Sequence, residues 1–154
     1  MQWLIEFFTN PFLLTGAGAW CVAQVMKVII HALVNRKLDI TRLFGDGGMP
    51  SGHSATVTAL STITLLVYGP SSFEFAVTAI LTLIVCHDAT GVRQEAGKHA
   101  VLLDELVILF QEISKEPLPE VRLKKFVGHT KIQVFCGMGI GVLFGILMYG
   151  VFFG

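Results

Sequence analysis

His53 and His129 each stand where a loop rich in Gly, Ser, Thr or Pro gives way to a long apolar run. A histidine at such a junction can attack a phosphorus atom or protonate a departing oxygen. Phosphoester hydrolysis without a metal needs three things: a nucleophile, an acid for the leaving group, and positive charge around the phosphoryl oxygens. Lys27 and Arg93 are candidate cations, and Ser51 to Ser54 offer backbone N–H groups at a helix start. Asp88 is the carboxylate available to orient an imidazole or pair with a cation. The expectation is that Lys27, Ser51, Gly52, His53, Asp88, Arg93 and His129 converge on one pocket. Unpaired ions scattered through apolar surroundings would each carry a heavy desolvation cost.

The elements that must position these residues are helices in a membrane. Of 154 residues, 53% are hydrophobic and only 14% charged, with a mean hydropathy of +0.70. Soluble domains are nearer a quarter charged. The formal net charge is zero, and no basic patch interleaves with aromatics, so nucleic acid is not an expected partner. Cys21, Cys86 and Cys136 are odd in number, lie in apolar runs and form no CxxC. They read as small buried residues, with neither a disulfide framework nor a zinc site. No cofactor or metal is expected. Met1 to Asn10 lacks the basic start of a secretory signal, and reads as part of the mature protein.

Four apolar runs predict four transmembrane helices: about Phe12 to Val34, Ser54 to Tyr68, Phe73 to Ala89, and Ile132 to Phe153. The first is long enough at roughly 34 Å to cross a bilayer. Within it Gln24, Lys27 and His31 fall on one face. Lys27 can snorkel to the interface or face the bundle interior as a phosphate-binding cation. His31 reads as interfacial packing. Ser51 is the expected N-cap of the second helix, after Gly47-Gly48-Met49-Pro50. Its many Ser and Thr residues read as helix-packing glue. Residues 93 to 116 alternate apolar and charged faces at helical spacing, which predicts an amphipathic surface helix before Pro117. Gly137, Gly141 and Gly145 form a stripe for close helix packing, and leave a homodimer open. The fold class is therefore all-α: one membrane-embedded domain over 1–154, with about four spans plus the amphipathic helix.

Pro50-Ser51-Gly52-His53 resembles the central motif of the type 2 phosphatidic acid phosphatase superfamily, which also includes vanadium haloperoxidases. That superfamily carries KxxxxxxRP, PSGH and SRxxxxxHxxxD, and only the second is intact here. The chain is more similar to a small divergent branch, acid phosphatase/vanadium-dependent haloperoxidase-related. That branch shows GGMPSxHSA, DAxGVR and a late GHT. The counterparts are Gly47 to Ala55, Asp88 to Arg93, and Gly128-His129-Thr130.

The resemblance implies an integral membrane phosphatase acting on a phosphomonoester or diphosphate, of a lipid or isoprenoid, through a phosphohistidine. By resemblance His129 is the nucleophile and His53 the acid, with Lys27 and Arg93 on the phosphoryl oxygens. No Arg-Pro follows Lys27 at the family distance, Leu123 stands where the superfamily has arginine, and Gln133 stands where it has aspartate. Asp88 is the carboxylate that can take the latter's place. A second function class is a non-catalytic protein that binds or moves anionic lipid headgroups with the same pocket.

All eleven Lys and Arg residues fall on one side of the four-span arrangement. The positive-inside rule then puts the site-side loops in the cytoplasm, in the plasma membrane of a prokaryote.

Overall fold

The structure, a computed structural model, describes residues 1–37, 39, 48–114 and 130–154, with residues 92–94, 96, 97, 112 and 114 described by backbone alone. The described chain is helical: α1 (Gln2–Phe8), α2 (Pro11–Asn35), α3 (Gly52–Tyr68), α4 (Phe73–Thr90), α5 (Val92–Ser114) and α6 (Lys131–Phe153). Local chemistry sets the boundaries. Asn10 caps α2, its side chain accepting from Phe12 N and Leu13 N at 2.9 and 3.2 Å, with Pro11 in the first helical position. Ser51 caps α3 and Ser72 caps α4. Gly69, at φ +82°, ends α3 in a backbone conformation that side chains resist.

The helices alternate in direction. Phe12 stacks on Tyr68 with ring centroids 5.4 Å apart, and meets Phe153 at 6.1 Å. The start of α2 and the ends of α3 and α6 therefore share one end of the bundle. At the opposite end Ser51 N donates to Gln133 O at 3.0 Å, joining the starts of α3 and α6. The end of α2 and the end of α4 lie there too. All candidate site residues in the described chain belong to this second end.

Helix α3 is the centre, packed against α2, α4 and α6. Its buried residues are small: Gly52, Ser54, Ala55, Thr58, Ala59 and Thr64, with Ile63 the large exception. The glycine stripe of α6 lies on it. A Cβ at Gly141 would stand 2.6 Å from Ala55 O, and one at Gly145 would stand 2.8 Å from Thr62 Cβ. Backbones come this close only without side chains between them. The stripe thus serves contacts within the chain. On the other side Thr82 Oγ1 donates to Val57 O at 3.0 Å, and Thr64 and Thr78 share a hydroxyl bond of 2.8 Å. Several α3 hydroxyls also bond back one turn, as Thr56 does to Gly52 O at 2.9 Å.

Among the described residues three helices are long and apolar enough to cross a membrane: α2, α4 and α6. The sequence predicts four spans. The fourth apolar run forms α3, a helix of 17 residues that reaches about 26 Å and packs against all three. Because the three longer helices surround it, its polar face meets protein. Helix α5 leaves the bundle after Gly91 and, among the described elements, touches only α4. Lys98 sits 2.6 Å from Glu95 on its exposed face and holds that carboxyl below its usual range. At such exposure the pair adds little to stability. Leu102, Leu106, Leu109 and Ile113 are exposed along the same helix.

Candidate functional site

The site is built from two helix starts laid side by side. Ser51 is fully buried, and its Oγ accepts from Ser54 N at 3.3 Å and from Ser54 Oγ at 3.0 Å. At the start of α6, Thr130 and Gln133 form a reciprocal capping box. Thr130 N donates to Gln133 Oε1 at 3.0 Å, and Gln133 N donates to Thr130 Oγ1 at 3.4 Å. Gly137 lies directly against the Ser51 carbonyl, one turn further along α6. With Ser51 N bound to Gln133 O, the two helices run parallel from a common level. Their N-terminal dipole ends then add positive potential at the same place. Ser54 N and Ala55 N bond to Ser51. Gly52 and His53 lie in the first turn, where helix N–H groups lack intrahelical partners.

One face of α2 lies along this start. Its residues are Trp20, Gln24, Lys27 and His31, spaced four, three and four apart. A Cβ on Gly52 would stand 3.2 Å from Trp20 Cδ1 and 3.8 Å from Gln24 Oε1. A Cβ on Gly48 would stand 3.3 Å from Lys27 Cγ. Gly48 also holds φ at +103°, so the loop passes Lys27 with no side chain in the way. Lys27 is 4% exposed. It faces protein, so the interior reading of this lysine describes its position and snorkelling does not. The Met49–Pro50 peptide that leads into Ser51 is cis.

Two separate hollows open beside this centre. The smaller, about 160 Å³, is lined by Lys27, Ile30, His31, Val34, Asn35, Gly48 and Met49. The larger, about 400 Å³, lies between α2, α3 and α4, with Ala17, Trp20, His53, Thr56, Val57 and Val85 around it. His53 is exposed and faces this apolar hollow, although it is next to Gly52 in the chain. Lys27 and His53 thus flank the α3 start from different hollows. Asp88 is partly buried near the end of α4. The Cys86 thiol meets the Ser54 hydroxyl, which ties that end of α4 to the same region. Arg93 is the second residue of α5, and its side chain lies outside the described structure. His129 also lies outside the described residues; the chain resumes at Thr130, the α6 cap.

Three contacts were not anticipated from the sequence. Gln133 caps α6 and binds the PSGH segment through its carbonyl. Its spacing from Thr130, T-x-x-Q before an apolar run, is a capping-box signature that could have revealed the first role. Trp20 packs on Gly52, for which no local pattern exists. His31 was expected to pack at the interface, and it lines the Lys27 hollow.

No solved structure matches the chain. Over 153 residues, 94% of this chain and 97% of the relative, it is 42% identical to a protein of Bacillus subtilis (strain 168) described as uncharacterized membrane protein YuiD. A family model described as the divergent PAP2 family matches residues 8–144. That match spans the PSGH loop, the α4 end and the α6 start together, and the chain belongs to the divergent PAP2 family.

Proposed function

We propose that this protein is an integral membrane phosphatase that hydrolyses a phosphomonoester or diphosphate of a lipid or isoprenoid. The observation that carries the reading is Lys27, a buried lysine with Gly48 against its side chain, close to two adjoining helix starts. Such an arrangement suits a phosphoryl group, because fixed donors and a shielded cation stabilise the charge that grows on its oxygens. The apolar hollow at His53 suits the other half of the substrate. An acid facing an apolar space can protonate a lipid alcohol as it leaves.

In this mechanism an imidazole nitrogen of His129 forms the new bond to phosphorus while the ester P–O bond breaks. The departing oxygen takes a proton from His53. Water, giving a proton to His53, then attacks the phosphohistidine, releasing inorganic phosphate and restoring both histidines. Lys27 and Arg93 hold the phosphoryl oxygens, Ser51 and Gly52 shape the helix start, and Asp88 orients a histidine or pairs with a cation. The membrane is the plasma membrane of a prokaryote, with the Lys- and Arg-rich end in the cytoplasm.

One observation favours a second reading. The Gln133 side-chain oxygen is bonded to Thr130 N, so the residue at the family's aspartate position serves as a helix cap. Without a carboxylate at that position the pocket would bind or move anionic headgroups without turnover. Phosphate release by the purified protein in proteoliposomes, from dodecyl phosphate and farnesyl diphosphate, decides between the two. The phosphatase reading expects release that His129→Ala and His53→Ala each lower by about a hundredfold or more, and that His99→Ala leaves unchanged. Saturable binding of dodecyl phosphate with no release at any pH would leave the headgroup reading standing.

A further inference from the structure

Helices α2 and α4 both pack on α3, yet among the described elements their backbones nowhere come close to each other. A strip of α3 is left open between them, and the larger hollow, about 400 Å³, lies over it. Ala17 and Trp20 of α2, Val57 of α3 and Val85 of α4 give it an apolar wall, with His53 and Thr56 beside them. Trp20 and His53 are both exposed, so the wall is open to a ligand. The pyrrole edge of Trp20 lies on Gly52: a Cβ there would stand 3.2 Å from Cδ1 and 3.4 Å from Nε1. The hollow is thereby joined to the α3 start. Leu13 on α2 and Leu81 on α4 stand one turn further from that end, on the faces of Ala17 and Val85, and both are exposed. The apolar gap thus continues along two membrane-crossing helices and opens sideways to lipid.

We infer that this hollow selects a single-chain phosphate ester that is hydrocarbon from its first carbon, as a prenyl phosphate is, over a diacylglycerol phosphate. The inference rests on the proposed phosphoryl-binding role of the α3 start, and names the alcohol half of its substrate. Position fixes which atoms enter. His53 is the proposed acid for the leaving oxygen and stands on the hollow's wall, so the atoms bonded next to that oxygen lie in the hollow. In a diacylglycerol phosphate those atoms lead within a few bonds to two ester carbonyls, and each needs a donor. The wall has none to give: the Thr56 hydroxyl donates to Gly52 O at 2.9 Å, and the Trp20 nitrogen lies against Gly52. Acceptors left unsatisfied in an apolar space weigh against binding. In a prenyl phosphate the same positions are methylene, alkene and methyl groups, which match the wall. Size agrees. A water molecule takes about 30 Å³ of liquid and a methylene about as much, so the hollow holds on the order of a dozen carbons. A longer chain leaves between α2 and α4 into the bilayer.

The test uses the full chain in phosphatidylcholine liposomes. Trp3 and Trp20 are its two tryptophans, so Trp3→Phe leaves Trp20 as a fluorescent reporter on the hollow. His129→Ala is added for the binding arm, so that ligands are not consumed. Farnesyl phosphate and dioctanoyl phosphatidate are titrated separately. The expected result is a saturable change in Trp20 emission with farnesyl phosphate, and an apparent Kd about tenfold or more weaker for the phosphatidate. Ala17→Phe and Val85→Phe, each of which fills the hollow, should weaken farnesyl phosphate binding by about tenfold or more, with helix content by circular dichroism unchanged. Phosphatidate binding as tight as farnesyl phosphate, unchanged farnesyl phosphate affinity in both folded variants, or no saturable change at Trp20 would each overturn the inference. Phosphate release is measured in the protein that retains His129. Prenyl-selective binding without release would leave the inference standing and remove the phosphatase reading. Release from both lipids alike, with Trp20 unmoved, would do the reverse.

Discussion

Lys27 is where single residues matter most. A buried lysine is tolerated only with partners or a ligand, and Gly48 lies directly against its side chain. Gly48 is the sharpest probe of that fit. Its φ of +103° is costly for any L side chain, and a Cβ would press Lys27 Cγ from 3.3 Å. Gly48→Ala should cost about 1–3 kcal/mol of stability and also weaken phosphate binding, because the lysine must move. Thermal unfolding followed by circular dichroism, with a phosphate titration, reads both. Unchanged affinity in a folded Gly48→Ala protein would show that the loop does not position Lys27. Thr130 offers a milder probe. Losing its cap hydroxyl in Thr130→Ala should cost about 1 kcal/mol, and would also slacken the start of α6, whose Gln133 carbonyl holds Ser51. A drop in turnover larger than the drop in stability is expected if that clamp matters to the site. Among these residues the sequence was informative about type and poor about direction. His53 belongs to an evident motif, yet which hollow it faces depends on the helices around it.

At the scale of elements the contact between α3 and α6 governs the rest. It sets the level at which both helices begin, and so aligns Ser51 with Gln133. Gly141 and Gly139 are two residues apart on α6 and meet opposite environments. A Cβ at Gly141 would be 2.6 Å from Ala55 O and 2.7 Å from Thr58 Cβ, whereas one at Gly139 would meet nothing within 4 Å. Gly141→Ala should therefore destabilise the bundle by about 1–3 kcal/mol. Gly139→Ala should be neutral or slightly stabilising, since alanine favours a helix over glycine. Parallel melts in one detergent compare them; equal melting temperatures would contradict the close packing described. The four-residue glycine spacing was readable as a packing stripe. Its partner helix was not, because a stripe specifies a close neighbour and does not name it.

For the whole molecule the asymmetry of charge is the main fact. The end formed by the start of α2, the turn between α3 and α4, and the end of α6 carries no Lys or Arg among the described residues, while Lys27, Arg36, Lys37 and Lys131 lie towards the other end. The positive-inside rule predicts that the basic end faces the cytoplasm. Cysteine labelling checks this in a background with Cys21, Cys86 and Cys136 replaced. Ser71→Cys should react with a membrane-impermeant maleimide from outside, and Lys98→Cys only after the cytoplasmic face is opened. Labelling of Ser71→Cys from the cytoplasm alone would invert the arrangement.

The sequence by itself determined the helices and their boundaries. Apolar runs, the Asn10 and Ser51 caps, and the breaks at Gly69 and Gly91 are local signals, and helix formation answers to local signals. It also determined the family, since the three motifs are contiguous strings of residues. Tertiary structure decided what touches what. It put His31 and Lys27 on one hollow, turned His53 to a hollow of its own, and used Gln133 as a cap and a clamp. It packed α3 against three longer helices, which cover its small and hydroxyl-bearing face. These outcomes depend on how far two backbones can approach and which side chains then share a space. Residues 27, 51 and 133 are far apart in the chain, and only packing brings them to one end of the bundle.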